Sequence, residues 1–155
     1  MSLERIEWTD NYQIGINVID NQHHRIIDYI NTLVDMPDDS NKEGVAEIID
    51  SMIDYTYSHF AFEEALMEEA GYEYLAVHKR THDAFTQRIH DLHKRLVAGE
   101  NIKVEIGEQL QTWLINHIME DDKSYAPLVK QQLPVIENKD AGNWLSTTIK
   151  KFFSR

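Results

Sequence analysis

The chain has 155 residues, of which 42% are hydrophobic and 27% charged, and its formal net charge is −12. This length suits a single domain with one core, and the negative charge disfavours binding to nucleic acids or anionic lipids. The sequence contains no cysteine, which excludes disulfides, thiolate metal sites and cysteine nucleophiles. It contains eight histidines, which in a cysteine-free chain point to a metal bound through nitrogen.

Membrane and export signals are not evident in the sequence. The N-terminal residues lack the apolar stretch of a signal peptide, and no segment reaches the length of a transmembrane helix. We therefore expect a cytoplasmic protein with no integral membrane segment and no nucleic-acid partner.

Apolar residues recur at helical spacing in four stretches, at about 17–35, 42–70, 75–96 and from near 104 to before Pro134. Only six glycines and three prolines interrupt the chain, which favours long helices. The turns between the stretches are short, so neighbouring helices should run antiparallel. The sequence therefore predicts an all-α fold, an up-down-up-down antiparallel four-helix bundle over residues 1–134.

Residues 135–155 are predicted to form a short C-terminal helical extension. Its apolar residues would share one side of an amphipathic helix: Trp144, Leu145, Ile149, Phe152 and Phe153. Positive charge is added locally by Lys150, Lys151 and Arg155. The favoured interpretation is a helix that packs on the bundle or on a second copy, and the alternative is an anchor for a membrane surface or partner. Residues 143–155 are thus a candidate for self-association, and the oligomeric state stays open.

Six polar residues interrupt the apolar faces of the predicted helices: His23, His59, Glu63, His78, His82 and His117. Burying one such group without a partner costs a few kcal/mol, so a shared explanation is needed. His59 and Glu63, like His78 and His82, are four residues apart and therefore point the same way on a helix. A metal held between the helices would account for all six.

These motifs resemble those of the bacterial hemerythrins over about residues 8–131. The matching positions are Trp8, Tyr12, Gly15, Ile16 and Ile19–His23, then His59, Phe60, Glu63, Glu64, Met67, Gly71 and Tyr72, then His78 and His82, and finally Trp113–Ile118 with Asp122. The resemblance implies two iron ions per chain, with an oxo or hydroxo bridge. It assigns His78, His82 and His117 to one iron, His23 and His59 to the other, and Glu63 and Asp122 to both.

The function implied by the resemblance is reversible dioxygen binding for storage, delivery or sensing, and not enzymatic turnover. The iron with two histidines would keep an open position for dioxygen. Apolar residues next to the ligands would enclose the dioxygen pocket, although they would also pack in an ordinary core: Ile26, Phe60, Trp113, Leu114 and Ile118.

The choice between two aspartates depends on the resemblance alone. In a regular α-helix, Asp121 lies on the same side as His117, whereas Asp122 is about 140° away. The family motif nevertheless places the bridging carboxylate five residues after the histidine, at Asp122. A local widening toward π-helical geometry near residues 117–122 would reconcile the two arguments.

Two other functions compete with dioxygen binding. The first is a di-iron enzyme acting on peroxide, dioxygen or nitric oxide, and the second is a bundle that binds another metal or serves as an interaction module. Five imidazoles and two carboxylates form a less anionic ligand set than carboxylate-rich di-iron enzymes have, which favours binding. Three further histidines are interpreted as bystanders: His24, His90 and His93. Glu64, which follows Glu63, is either an acceptor of a hydrogen bond beside the site or a surface charge, and the surface charge is slightly favoured. Asp20 is predicted to be either a helix cap or a partner of the metal site.

Overall fold

The computed structural model describes residues 3–37 and 42–153, and within them it contains helices and no strand. A 3-10 turn (Asp10–Tyr12) precedes the helices, which are α1 (Asn17–Asp35), α2 (Lys42–Ala70), α3 (Leu75–Val97), α4 (Lys103–Asn116), a π-helical segment (His117–Asp122), α5 (Lys123–Glu137), the short turn α6 (Lys139–Gly142) and α7 (Trp144–Phe153). The first three helices have the predicted bounds to within a residue.

The bundle has four arms, because α4, the π-helical segment and α5 form one continuous helix. Helix α2 packs against α1, α3 and α5, and α4 packs against α1 and α3. The connection between α2 and α3 is short because Gly71 adopts φ 75°, which allows the N–H of Tyr72 to bond the carbonyl of Met67 at 3.0 Å. The chain therefore reverses direction within a few residues, as the predicted antiparallel bundle requires.

Each arm turns its apolar stripe toward a common core. The side chains that are at most 1% exposed include Ile30 and Leu33 from α1, Met52 and Leu66 from α2, Phe85 and Ile89 from α3, Leu110 from α4 and Val129 from α5. Burial of a side chain of this size stabilises a fold by roughly 1.5–3 kcal/mol. The core therefore fixes which face of each helix points inward.

The fourth arm is longer than the sequence indicated. We expected it to end before Pro134, but α5 continues to Glu137 with Pro134 inside it. Proline removes one amide donor and weakens the last turn. Ile136 in that turn is only 1% exposed, and its burial offsets the loss.

Helix α7 lies on the bundle's own surface, against α2 and α5. Asp140 and Ala141 have φ 55° and Gly142 has φ 84°, which turns the chain back toward α2. Trp144 of α7 is 8% exposed, and the ring of Phe153 lies 5.1 Å from that of Tyr55. The extension therefore packs on the bundle, which was the favoured interpretation of its sequence. Among the described residues, no helix combines the length and the apolar character that crossing a membrane needs.

Candidate metal centre

The six polar residues predicted from the helix faces, together with Asp122, meet in the middle of the bundle. Helix α1 contributes His23, α2 contributes His59 and Glu63, α3 contributes His78 and His82, and the π-helical segment contributes His117 and Asp122. All seven are between 0% and 5% exposed. Pairs four residues apart on α2 and α3 point inward together, as helical spacing predicts.

Their ligand atoms form two groups, each with its atoms within 4.8 Å of one another. The three-histidine group consists of Glu63, His78, His82 and His117, and the two-histidine group consists of His23, His59, Glu63 and Asp122. Glu63 belongs to both groups. The arrangement can therefore hold two metal ions side by side.

The two carboxylate oxygens of Glu63 face different groups. Its Oε1 is 2.8 Å from the Nε2 of His78 and 3.0 Å from the Nε2 of His82. Its Oε2 is 3.3 Å from the Nε2 of His59, on the two-histidine side. Glu63 thus turns one carboxylate oxygen toward each group.

The two carboxylate oxygens of Asp122 also face different groups. Its Oδ1 is 2.9 Å from the Nε2 of His117 and 3.2 Å from the Nε2 of His78. Its Oδ2 is 2.9 Å from the Nε2 of His23. Two carboxylates therefore lie between the groups of imidazoles, each with one oxygen turned to either side.

The π-helical segment decides between the two aspartates. Its hydrogen bonds run from residue i to i+5, which brings residues five apart to the same side of the helix. Asp122 is accordingly 0% exposed in the side chain, whereas the Asp121 side chain is 41% exposed. Spacing in a regular α-helix favoured Asp121 as the inward residue, and that argument is wrong here because the helix is locally wider.

Several buried atoms of the site lack a hydrogen-bond partner among the described residues. They are Nδ1 and Nε2 of His23, Nε2 of His59, and both carboxylate oxygens of Asp122. Close approaches between these atoms exist, but they lack the angles of hydrogen bonds. An unsatisfied buried polar group costs about 1–3 kcal/mol. The Nε2 atoms of His23 and His59 and the oxygens of Asp122 fit a metal site, because bound cations would accept their lone pairs. The Nδ1 of His23 lies on the other side of its ring and would not be satisfied by the same ion.

The electrostatics of the site keep its two carboxylates ionised. Burial raises the pKa of Glu63, but the surrounding imidazoles, His59 first, outweigh burial and hold it well below its ordinary value. Burial lowers the pKa of His78, but the nearby Asp122 carboxylate and the hydrogen bond to Glu63 raise it to about 9. Burial raises and nearby imidazoles lower the pKa of Asp122, with a net lowering. The two buried carboxylates thus stay ionised beside positive charge, which protonated imidazoles supply here and which a bound cation would also supply.

Three of the five histidines donate their outer ring N–H to a neighbouring side chain. The Nδ1 of His59 is 2.7 Å from Oε1 of Gln22, the Nδ1 of His82 is 2.9 Å from Oε2 of Glu64, and the Nδ1 of His117 is 2.9 Å from Oδ2 of Asp121. With Nδ1 as the donor, the lone pair of Nε2 points into the site. These bonds prepare the imidazoles as ligands.

A tyrosine hydroxyl completes the polar contacts. The hydroxyl of Tyr125, on α5, donates to Oε2 of Glu63 at 3.0 Å, and the residue is 0% exposed. Sequence reasoning placed Tyr125 only in the apolar stripe and found no role for Gln22. For Glu64 it slightly favoured a surface charge over an acceptor beside the site, and the acceptor role is the one observed, because Glu64 accepts a hydrogen bond from Nδ1 of His82. These acceptors share one signal, since Gln22, Glu64 and Asp121 each adjoin a predicted ligand in sequence.

The apolar residues predicted to enclose dioxygen occupy two environments. Ile26, Leu114 and Ile118 are at most 2% exposed and belong to the core. Phe60 stacks on the His82 ring with centroids 4.0 Å apart, and the partly buried Trp113 stacks on His117 at 4.3 Å. Their packing is established, and their role around dioxygen stays a prediction.

The residues interpreted as bystanders lie outside both groups. The His24 side chain is 51% exposed and 3.5 Å from Asp28, and His93 is 2.7 Å from Asp50 at the surface. His90 is exposed. Asp20 accepts the backbone N–H groups of Ile14 and Gly15 at 2.8 and 3.1 Å, so it caps the loop before α1 and does not enter the metal site.

The fold and the site together define a four-helix bundle with a buried histidine–carboxylate centre suited to two metal ions. A family model described as the hemerythrin HHE cation binding domain matches residues 14–129. The chain belongs to the hemerythrin family.

Individual relatives agree with this assignment. A bacteriohemerythrin of Stenotrophomonas maltophilia (strain R551-3) is 47% identical over 147 residues, which cover 94% of this chain and 96% of that protein. A bacteriohemerythrin of Methylococcus capsulatus (strain Bath) is 36% identical over 74% of this chain and 90% of that protein. A crystal structure of wild-type hemerythrin superposes with a TM-score of 0.77 at 32% identity, covering 81% of this chain and 98% of that one.

Proposed function

We propose that this protein binds dioxygen reversibly at a pair of non-haem iron ions. One observation carries the proposal. Glu63 and Asp122 each direct one carboxylate oxygen to the three-histidine group and the other oxygen to the two-histidine group. In this proposal His78, His82 and His117 would hold one iron and His23 and His59 the other. Glu63 and Asp122 would serve both ions, together with an oxo or hydroxo group.

The donor set suits ferrous ions. Neutral imidazoles and carboxylates bind divalent iron well, and two carboxylates offset part of its charge in a buried site. When bound, a pair of ferrous ions supplies reversible uptake of dioxygen. The protein contributes three histidines to one side and two to the other, so the two-histidine side has fewer protein donors and leaves a place for a small ligand.

Binding is favoured over catalysis by the burial of the site. The seven proposed ligands are at most 5% exposed, and aromatic rings cover His82 and His117. A diatomic molecule reaches such a centre by small motions of the core, whereas a larger substrate would have to displace buried side chains. We therefore propose a carrier, store or sensor of dioxygen, and not an enzyme.

Anaerobic loading with ferrous iron tests the proposal. We expect two irons per chain, together with a visible absorption band that appears with dioxygen and disappears on degassing. His23→Ala should lose the band, and the matched variant His24→Ala should keep it, because His24 is exposed and outside the site. Metal analysis that finds a single zinc per chain, or a band that degassing does not reverse, would contradict the proposal.

Two further assignments concern the domain organisation and the location of the protein. We propose that the bundle is the metal-binding unit and that the extension is an addition to it, which the end of the family match at residue 129 supports. We also propose a cytoplasmic location, which fractionation of the producing cells would test.

A further inference from the structure

The outer hydrogen bonds of the ligand histidines differ between the two sides of the site. In the three-histidine group, His82 and His117 each donate Nδ1–H to a carboxylate, Glu64 and Asp121 respectively. In the two-histidine group, His59 donates to the neutral amide oxygen of Gln22. The Nδ1 of His23 has no hydrogen-bond partner within the described ranges. Anionic acceptors are thus found on the three-histidine side in these contacts, and a neutral acceptor on the other.

We propose that Glu64 and Asp121 are positioning residues that make the three-histidine side the more electron-rich half of the centre. The inference rests on the proposed function for its setting, and it assigns these two carboxylates a role that the ligand set alone does not contain. Because of them, the metal on that side is bound more tightly and is the one that more readily carries the higher charge.

The imidazoles of His82 and His117 are each held by two neighbours, an aromatic ring and a carboxylate. Phe60 stacks on His82 with an interplanar angle of 8°, and Glu64, one turn further along α2, accepts its proton. Trp113 stacks on His117 at 17°, and Asp121 accepts its proton one turn after the histidine. Each ring is therefore held in plane by an aromatic neighbour and in rotation by a carboxylate. Such constraint keeps Nε2 aimed at the metal.

The charge of the acceptor adds a second effect to the positioning. A carboxylate that accepts Nδ1–H draws the proton toward itself, which leaves more electron density at Nε2 and makes the imidazole a stronger donor. A stronger donor stabilises a more positive metal. The amide oxygen of Gln22 orients His59 in the same manner but carries no charge, so it has little of this effect.

Exposure ranks the two carboxylates. The Glu64 side chain is 21% exposed and that of Asp121 is 41% exposed. Water screens the more exposed charge more strongly. Glu64 should therefore influence the metal more than Asp121 does.

Conservative variants separate charge from hydrogen bonding. Glu64→Gln and Asp121→Asn keep an acceptor oxygen near each ring and remove only the charge. Glu68→Gln and Glu120→Gln serve as controls, because within residues 3–37 and 42–153 these side chains form no hydrogen bond or ion pair with a ligand histidine. Affinity for Zn²⁺, measured by competition with a chelator, should fall roughly 10-fold in Glu64→Gln, less in Asp121→Asn, and remain unchanged in the controls.

The iron-loaded protein gives an independent readout. Loss of either carboxylate should make one-electron oxidation of the centre by an electrode harder, so the midpoint potential rises. A 10-fold effect corresponds to about 59 mV for one electron. Gln22→Glu places a new anion on His59 and should shift the potential in the opposite direction. A purely structural role of these side chains would not produce shifts of opposite sign.

The inference is overturned if Glu64→Gln and Asp121→Asn have the same Zn²⁺ affinity and the same midpoint potential as the control variants. A Gln22→Glu shift of the same sign as theirs would also overturn it. The Zn²⁺ measurement needs neither iron nor dioxygen. If dioxygen fails to bind while these affinities change as expected, the proposed function is rejected and the role of the two carboxylates stands.

Discussion

Asp122 lies with its Oδ1 2.9 Å from the Nε2 of His117, although the two residues are five positions apart in one helix. A regular α-helix would direct them to different sides, and the π-helical segment brings them together. The segment also leaves Asp121 behind the His117 ring, where it accepts the Nδ1 proton. One local change in helix geometry therefore gives two neighbouring aspartates two different tasks.

The first prediction compares these two aspartates. Asp122→Ala should abolish stable binding of two irons, because both oxygens of Asp122 face ligand nitrogens and its charge offsets that of the ions. Asp121→Ala should retain two irons with a modest loss of affinity, because Asp121 only supports His117. Iron content after desalting and the dioxygen-dependent absorption band measure both. The reverse pattern, with iron lost in Asp121→Ala and kept in Asp122→Ala, would refute the ligand assignment.

The second prediction concerns Tyr125, which donates its hydroxyl proton to Oε2 of Glu63. Tyr125→Phe should lower the free energy of unfolding by about 1.5–3 kcal/mol, the range for a hydrogen bond to a charged group. Urea unfolding of the iron-loaded protein measures the change. Tyr57→Phe serves as the control because Tyr57 is half-buried on α2, outside the metal site. Equal stability of the two variants would show that the Tyr125 hydroxyl contributes little.

The third prediction tests the extension. A chain that ends at Asn138 should still bind two irons, because all seven proposed ligands precede α6. It should unfold more easily, by at least roughly 3 kcal/mol, because α7 buries Trp144 and covers Phe62 through Phe153. Iron analysis and urea unfolding measure the two effects. Loss of iron on truncation would show that the extension is part of the metal-binding unit.

A tyrosine next to the extension reports on its packing. Burial raises the pKa of Tyr55 to about 12, and the Phe153 ring packs on it. Phe153→Ala should let water reach the phenol, so its pKa falls toward the ordinary value. The difference in phenolate absorbance between variant and parent, recorded as pH rises, should show one additional tyrosine titrating earlier. An unchanged titration would mean that α7 does not shield Tyr55.

The fifth prediction uses the left-handed turn before α7. Ala141 has φ 55°, a conformation that costs a residue with a Cβ atom about 1–2 kcal/mol, and it is exposed. Ala141→Gly should therefore stabilise the protein by roughly 0.5–1 kcal/mol, after the greater freedom of glycine in the unfolded chain is subtracted. Ala98→Gly is the matched control, because Ala98 is exposed with φ −72° and should lose stability. If thermal unfolding shows that both variants gain stability, or that both lose it, Ala141 is not strained.

Much of the fold and the proposed ligand set follows from local patterns in the sequence. The helix bounds depend on apolar spacing and on stop signals such as Gly71, which act over a few residues. Histidines at core-facing positions are conspicuous because a core rejects lone polar groups. Local rules failed where tertiary packing outweighed them, as in the continuation of α5 through Pro134.

Four amphipathic helices, and the residues that each could offer to a metal, can be predicted from the sequence alone, because both depend on the fixed period of the α-helix. Resemblance to a family, and not spacing, selected Asp122. The outer contacts that join different helices depend on tertiary packing, since Gln22 and His59 are 37 residues apart, Glu64 and His82 are 18 apart, and Tyr125 and Glu63 are 62 apart. Such pairs meet across helices, and which side chains meet depends on how those helices pack, information that no local period contains.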